Sequence, residues 1–274
     1  MTTHFGLIIV GDEILSGKRA DKHLPKAIEL LGARGLQLSY AHYVGDDPAR
    51  ITATLAQAFA AARQSGDVVF STGGIGATPD DHTRPCAAEA WGVPLALHPE
   101  AEALIRERMQ DIAREQGVAY EPDRHDNIHR LNMGVFPVGA QIIPNPYNKI
   151  PGFSCQAGEG ALHFMPGFPV MAWPMLEWLL DTRYAHLHQK SAYAEKSVIV
   201  LGSMEAMLTP LMIDIEEAFK GVKVFSLPSV DHPEHGRHIE LGVKGAPEAV
   251  EQAYAALLAG LRGFDLKLGP ELVR

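Results

Sequence analysis

Ser71 to Thr83 reads Ser-Thr-Gly-Gly-Ile-Gly-Ala-Thr-Pro-Asp-Asp-His-Thr, and it limits what the chain can become more than any other stretch. The apolar run Val68-Val69-Phe70 leads into it. Gly73, Gly74 and Gly76 follow, and then the adjacent carboxylates Asp80 and Asp81. A helical pattern starts near Thr83, an N-cap residue type, with Pro85 just inside. The order is therefore strand, glycine loop, acidic pair, helix start. Glycines let the backbone turn with φ above zero and bring N–H groups close to a ligand, and a helix N-terminus beside them favours anions. That half of the loop suits a phosphate or a carboxylate. The acidic pair does not, because two like charges about 4 Å apart repel by ~1 kcal/mol in water and ~4 kcal/mol at a protein-surface dielectric. Together they read as phosphate plus divalent cation. The alternative is a tight strand-to-helix turn whose solvated acids cap the helix.

The preceding residues place this loop in a repeating pattern. Phe5 to Val10 is a short apolar strand ending in Gly11-Asp12-Glu13. Asp21 to Leu31 is helical, and Leu36 to Val44 is a second strand ending in Gly45-Asp46-Asp47-Pro48. Asp47 caps the next helix with Pro48 at its first position, which leaves Asp46 without a structural duty. That helix runs to about Gln64, and Gly66-Asp67 turns into the third strand. Alternating strands and helices imply a parallel sheet covered on both faces, with ligands bound outside the strands' carboxyl ends.

Helices over Thr83 to Trp91 and Pro99 to Glu115 follow, and proline and glycine then make Phe136 to Ala140 and Asn145 to Phe153 loops. His125 and His129 have the spacing of a metal pair on a helix, but the acidic partner of a zinc motif is missing, so they read as surface residues. Gly160 to Met165 is a strand, followed by the turn Pro166-Gly167-Phe168-Pro169 and another helix. The periodicity breaks across Asp181 to Glu195, and the order afterwards is β-α-β-β-α-β, as in ferredoxin-like units. The fold class is α/β: a three-layer α/β/α domain with a mostly parallel sheet over residues 1–180, and a smaller ferredoxin-like α+β domain over 190–274. His232, His235 and His238 lie between two strands of the second domain and read as an adventitious nickel or zinc binder.

A net charge of −9 argues against a nucleic-acid or acidic-membrane partner. Cys86 and Cys155 are too few for a disulfide framework and suit a reducing cytoplasm. The N-terminus has no signal-peptide pattern, and no apolar run approaches the ~18 residues of a membrane span.

Five motifs in order over residues 5–170 resemble the molybdopterin-binding domain family. They are Gly11-Asp12-Glu13-Ile14-Leu15-x-Gly17, Val44-Gly45-Asp46-Asp47, Thr72-Gly73-Gly74-Ile75-Gly76-x-Thr78-x-Asp80-Asp81-x-Thr83, Asn145-Pro146 with Pro151-Gly152-Phe153, and Met165-Pro166-Gly167-Phe168-Pro169. The family includes the MogA and MoaB proteins, the N-terminal part of CinA and the pterin-binding-like region of eukaryotic FAD synthases. The motifs match the CinA and FAD-synthase branch. Residues 181–274 look like the small domain that follows in CinA-type proteins.

The resemblance implies a phosphorylated pterin, or a nucleotide with a pyrophosphate, as ligand, and a homo-oligomer, a dimer or trimer. In the CinA branch it implies a divalent-metal-dependent ADP-ribose pyrophosphatase, and in the FAD-synthase branch a related hydrolysis of FAD. The alternatives are a binding protein without turnover and a MogA-type adenylyl transferase. By the same resemblance Asp46 and Asp81 are the catalytic, metal-holding acids, for Mg²⁺ or Mn²⁺. Gly11, Asp12, Thr72, Gly73, Gly74, Gly76, Thr83, Asn145, Pro166 and Gly167 are the expected ligand-binding residues. The chain departs from the family pattern at Ala77, at Asp21-Lys22-His23 where Asn is usual, and at Tyr147-Asn148-Lys149-Ile150, a bulky basic insertion expected to border the pocket. With the sequence ending at Arg274, the amidase domain of CinA and its nicotinamide mononucleotide deamidation are not expected.

Overall fold

The structure is a computed structural model describing residues 3–188 and 194–273. Residues 189–193, inside the stretch read as the domain boundary, lie outside the described residues, as do 1, 2 and 274. The described residues form two compact units, one ending at His188 and one beginning at Ala194.

In the first unit, β1 (Phe5–Val10) is buried along its whole length. Its alternating side chains serve two cores: Phe5, Leu7 and Ile9 face one side, Ile8 and Val10 the other. The short helix α1 (Asp12–Leu15) and then α2 (His23–Gly32) follow. Asp21 starts α2 by accepting from the His23 and Leu24 amides at 2.8 and 3.1 Å. Strand β2 (Leu38–Val44) leads to α3 (Pro48–Ser65), where the Asp47 carboxylate accepts from the Arg50 amide at 2.8 Å. Strand β3 (Val68–Thr72) precedes the glycine loop and α4 (Thr83–Trp91). Next come β4 (Leu95–Leu97), α5 (Pro99–Glu115), α6 (His125–Arg130), β5 (Val135–Pro137), β6 (Gln141–Ile143), β7 (Gly152–Ala157), β8 (Gly160–Met165) and α7 (Pro169–Thr182).

The main sheet has the order β2-β1-β3-β8-β7-β6. Its first four strands are mutually parallel, and β7 and β6 run antiparallel at one edge, so the sheet is mixed. The loops expected over Phe136 to Ala140 and Asn145 to Phe153 overlap two residues of β5 and the start of β7, and β6 lies between them. Pro137, Gly139, Pro151 and Gly152 punctuate these strands, two of them only three residues long. They form because Phe153 stacks between Phe136 and Phe164, with ring centroids 4.7 and 4.5 Å away. The first unit also runs past residue 180: the Tyr184 ring stands edge-on to Phe5 and Phe70, and its hydroxyl lies 2.6 Å from His163 Nε2.

The second unit contains β9 (Ala194–Leu201), α8 (Glu205–Ala218), β10 (Lys223–His232), β11 (Gly236–Gly245), α9 (Pro247–Leu261) and β12 (Lys267–Val273). Its sheet, β10-β11-β9-β12, is antiparallel throughout, and this is the ferredoxin-like order. Val198, Val200, Leu241 and Val243 meet Leu208 and Leu257 of the two helices in one core. The histidine segment is the tip of the long β10–β11 hairpin. Among the described residues no helix is long and apolar enough to cross a membrane.

Candidate functional site

The turns after β1, β2, β3 and β8 leave the same edge of the parallel strands and are tied to one another. The Gly11 amide donates to the Val44 carbonyl and the Gly73 amide to the Met165 carbonyl, each at 3.0 Å. Gly73 sits at φ 99°, and a Cβ there would run into the Val10 carbonyl oxygen. Only glycine lets these backbones pass so closely.

The glycine loop is closed by its own side chains. Asp81 Oδ2 accepts from the Thr78 amide at 2.8 Å and the Thr78 hydroxyl at 2.6 Å. Thr83 differs from the expected N-cap: it is the first residue of α4, and its hydroxyl donates to the Gly73 carbonyl at 3.0 Å. The Thr83 amide bonds the Gly74 carbonyl at the same distance, so the residue pins the loop instead of capping the helix. His129 Nε2 donates to the Ala77 carbonyl at 2.9 Å, and its Nδ1 accepts from Asn132 at 3.3 Å. This residue, read from sequence as a surface histidine, steadies the loop. The buried Arg84, whose guanidinium pKa burial lowers, donates to the Asn132 carbonyl. What remains is a run of four amides, Gly74, Ile75, Gly76 and Ala77, that donate to no protein acceptor among the described residues. Successive free N–H groups of this kind form an anion-binding concavity.

These amides border a cleft of about 420 Å³, within the range of small-molecule sites. Its opposite wall comes from Asn148, Ile150, Phe168 and Met171. Of the residues expected from sequence to bind ligand, Gly11, Gly73, Gly74, Gly76, Pro166 and Gly167 line the cleft. Thr83 lies behind the loop. Thr72 faces an adjoining cavity. Asn145 is buried and folds the 145–150 loop, donating to Asn148 Oδ1 at 2.8 Å and the Ile150 carbonyl at 2.9 Å. Through it Asn148 and Ile150 reach the cleft. The insertion thus borders the cleft through Asn148 and Ile150, while its basic residue turns away: Lys149 is held at 2.6 Å by both Glu107 and Asp111 of α5.

With Asp47 used as the α3 cap, Asp46 is free to face the cleft. Its Oδ2 accepts from the Asp12 amide at 2.9 Å, and its own amide donates to Asp12 Oδ1 at 3.2 Å. Asp12 thus anchors Asp46 and lies outside the cleft lining. Burial, together with the charges of Asp12, Glu13 and Asp80, raises the Asp46 pKa above the usual carboxylate value. Of the adjacent acids, Asp80 adds its charge to the field at Asp46 and is itself held below the usual carboxylate range by a hydrogen bond with Thr78, while Asp81 Oδ2 accepts from Thr78. Asp46 and Asp81 both line the cleft, and Asp46 also shares a neighbouring hollow with Asp12, Glu13, Asp80 and Lys18. The chemistry is hard-oxygen and anionic, as Mg²⁺ or Mn²⁺ requires. Among the described residues no three His, Cys, Asp or Glu side chains are placed to hold a metal by themselves. The same holds at the hairpin tip, where the His232 and His235 rings stack in parallel and His232 Nδ1 is taken up by two amides.

Glu13 and Arg19 were not selected from sequence as cleft residues, yet both line it, with the Arg19 guanidinium 5.8 Å from the centre of the Phe168 ring. A glutamate beside the Gly11-Asp12 motif was the available signal for the first. Nothing local to the sequence marked the second.

Comparison with known proteins shows the family to which this unit belongs. The family model described as a probable molybdopterin binding domain matches residues 6–186. A CinA-like protein of Anaeromyxobacter dehalogenans is 31% identical over 215 residues, 77% of this chain and 49% of its own length. A CinA-like protein of Mycobacterium tuberculosis is 28% identical over 94% of this chain and 58% of its own length. The chain thus spans about half the length of the curated relatives it matches. The crystal structure of CinA from Thermoplasma acidophilum, a protein of unknown function, superposes with a TM-score of 0.53 at 26% identity, covering 65% of this chain and 98% of that one. The family model spans nearly all of the unit that carries the cleft, and the chain belongs to the molybdopterin-binding domain family as a CinA-like member.

Proposed function

We propose that the cleft binds a phosphorylated pterin or nucleotide and, with a divalent cation, hydrolyses a pyrophosphate of the ADP-ribose or FAD class. The observation that carries this reading is the run of free amides from Gly74 to Ala77 facing the Asp46 cluster across one cleft. The amides would hold phosphate oxygens. Asp46, with Asp80 and Glu13 beside it, would supply carboxylate oxygens to Mg²⁺ or Mn²⁺, which when bound would offset the pyrophosphate charge and orient water. Mg²⁺ is commonly held by one or two carboxylates plus substrate phosphates, so the lack of a three-ligand set among the described residues suits a cation that arrives with the substrate. Asp81 contributes through the shape of the loop. In the reaction, a water oxygen bonds to one phosphorus, the bridging P–O bond breaks, and two phosphate monoesters leave.

A second reading, binding without turnover, is favoured by one observation: the Asp81 carboxylate assigned to chemistry is already engaged by Thr78. Calorimetric titration of ADP-ribose with and without Mg²⁺, on wild type and Gly76→Ala, tests the binding part common to both. A Cβ at Gly76 would stand 2.6 Å from Asp81 Oδ2 and force the loop open. Mg²⁺-dependent binding that weakens at least tenfold in the variant is expected. Equal affinity in both proteins would remove the glycine loop from the site. Self-association, implied by the family resemblance, belongs to the same reading. Of the apolar residues near loops that favour it in the sequence, Trp91, Phe153 and Trp173, Phe153 is fully buried, Trp91 stacks on Phe59 and Trp173 is half-buried. Sedimentation showing monomer alone at micromolar concentration would end that part.

A further inference from the structure

A second cavity of about 350 Å³ adjoins the cleft, sharing a wall of Val10, Glu13, Arg19 and Gly167. It lies on the α2–α7 side of the sheet. Thr72 follows Val68 and Phe70 in facing that side, as strand alternation requires, whereas Val69 faces the other core. The Thr72 residue is 3% exposed, and its hydroxyl has no hydrogen-bond partner among the described residues. A buried hydroxyl left unpaired costs about 1–3 kcal/mol, so one at a cavity wall points to a polar occupant.

Two cations line the same cavity. Neither Arg19 nor Lys22 has a carboxylate partner among the described residues. Arg19 lies against the Phe168 ring, and Lys22 is exposed at the mouth. Lys149, by contrast, is paired with Glu107 and Asp111. His23 fixes the floor: its Nε2–H donates to the Gly167 carbonyl at 2.9 Å and ties the start of α2 to the turn after β8. Glu13 is the one acid on the wall, and its carboxylate folds back against Gly11, on the side of the Asp46 cluster. The balance is two cations and a donor hydroxyl against one carboxylate.

We propose that this annex is a second anion subsite, taking a phosphate monoester carried by the same ligand whose other phosphates lie on the glycine loop. The inference rests on the reading of the cleft given above and extends its substrate class from ADP-ribose and FAD, which have no terminal phosphate, to nucleotides or pterins of that kind that carry one. Lys22 and Arg19 would hold the phosphate oxygens, and the Thr72 hydroxyl would donate to one of them.

Inorganic phosphate is the probe, titrated at constant ionic strength while backbone amides are followed by NMR in wild type, Lys22→Met and Lys22→Arg. In wild type the Thr72, His23 and Gly167 amides should shift saturably. In Lys22→Met the dissociation constant read at those amides should rise at least fivefold, and Lys22→Arg should recover most of it. The Gly74 to Ala77 amides should respond alike in all three proteins. Annex amides that do not shift in wild type, or a dissociation constant unchanged in Lys22→Met, would overturn the subsite. Annex amides that shift while Gly74 to Ala77 stay still would instead overturn the reading of the main cleft and leave the annex standing.

Discussion

Asp46→Asn separates the cost of the acidic cluster from its use. In the folded protein Asp46 is half-buried beside Asp12, Glu13 and Asp80, which raises its pKa. A carboxyl that binds its proton more tightly when folded stabilises the native state below its unfolded pKa and loses that contribution as pH rises through the folded one. At pH 7 the charge is therefore a liability, and asparagine removes it. Like charges at a protein surface repel by ~1–4 kcal/mol at contact, and solvent screening of this half-exposed group brings the gain to about 1 kcal/mol. Asparagine still accepts from the Asp12 amide, now 2.9 Å from Asp46 Oδ2, but without charge assistance, which gives back about 0.5 kcal/mol. The net effect on the protein alone is between about 0 and +1 kcal/mol, a melting-temperature change of about 0 to +4 °C for a unit of this size. The gain should vanish near pH 3, where wild-type Asp46 is itself protonated. Ligand linkage should run the other way. At a hundred times the dissociation constant, Mg²⁺ and ADP-ribose should add about 2.7 kcal/mol to wild type, and the variant should lose most of that shift. Calorimetric melts at pH 3.5 and 7, with and without Mg²⁺ and ADP-ribose, read all of these. A variant that melts well below wild type at pH 7 yet keeps the full ligand shift would refute the argument.

Three further outcomes follow from the same geometry. Asp81→Asn should weaken phosphate binding about fivefold through the loosened Thr78 contacts, at ~1 kcal/mol, but leave Mg²⁺ dependence intact; loss of Mg²⁺ dependence in a titration would return Asp81 to the cation. Gly73→Ala, at φ 99° and against the Val10 carbonyl, should cost about 3 kcal/mol in chemical denaturation, and a cost below about 1 kcal/mol would show that the turns can spread. His163 is fully buried between Ser154 and Tyr184, and burial lowers its pKa from 6.5 to about 3. Its neutral form stabilises fully above pH 6.5, and that stability drains as pH falls towards 3, by up to about 1.4 kcal/mol per pH unit. His163→Gln should flatten this slope in urea melts between pH 4 and 6.5, and an unchanged slope would place the acid sensitivity elsewhere.

Much of this molecule was legible because its signals are local. Asp47-Pro48 caps α3 within four residues, the glycine loop follows an apolar run directly, and the β-α-β-β-α-β order of the second unit is written in its periodicities. What escaped depends on where side chains point across the fold. Asp80 and Asp81 are neighbours in sequence and both engage Thr78, yet only Asp80 adds to the field at Asp46. His129 reaches Ala77 across 52 residues, and the Asn145 amide folds the loop that holds Asn148. The strands β5 to β7 were hidden by Pro137, Gly139, Pro151 and Gly152, whose turn preferences yield there to burial of Phe136 and Phe153.

The central claim, that the cleft hydrolyses a pyrophosphate with a divalent cation, is tested most directly by identifying products. Purified protein incubated with ADP-ribose, and separately with FAD, in Mg²⁺ or Mn²⁺ and in chelator, can be followed by liquid chromatography with mass detection. The account predicts metal-dependent release of AMP with ribose 5-phosphate or FMN, abolished by Asp46→Asn. Saturable binding of both compounds with no product under any metal condition would contradict it.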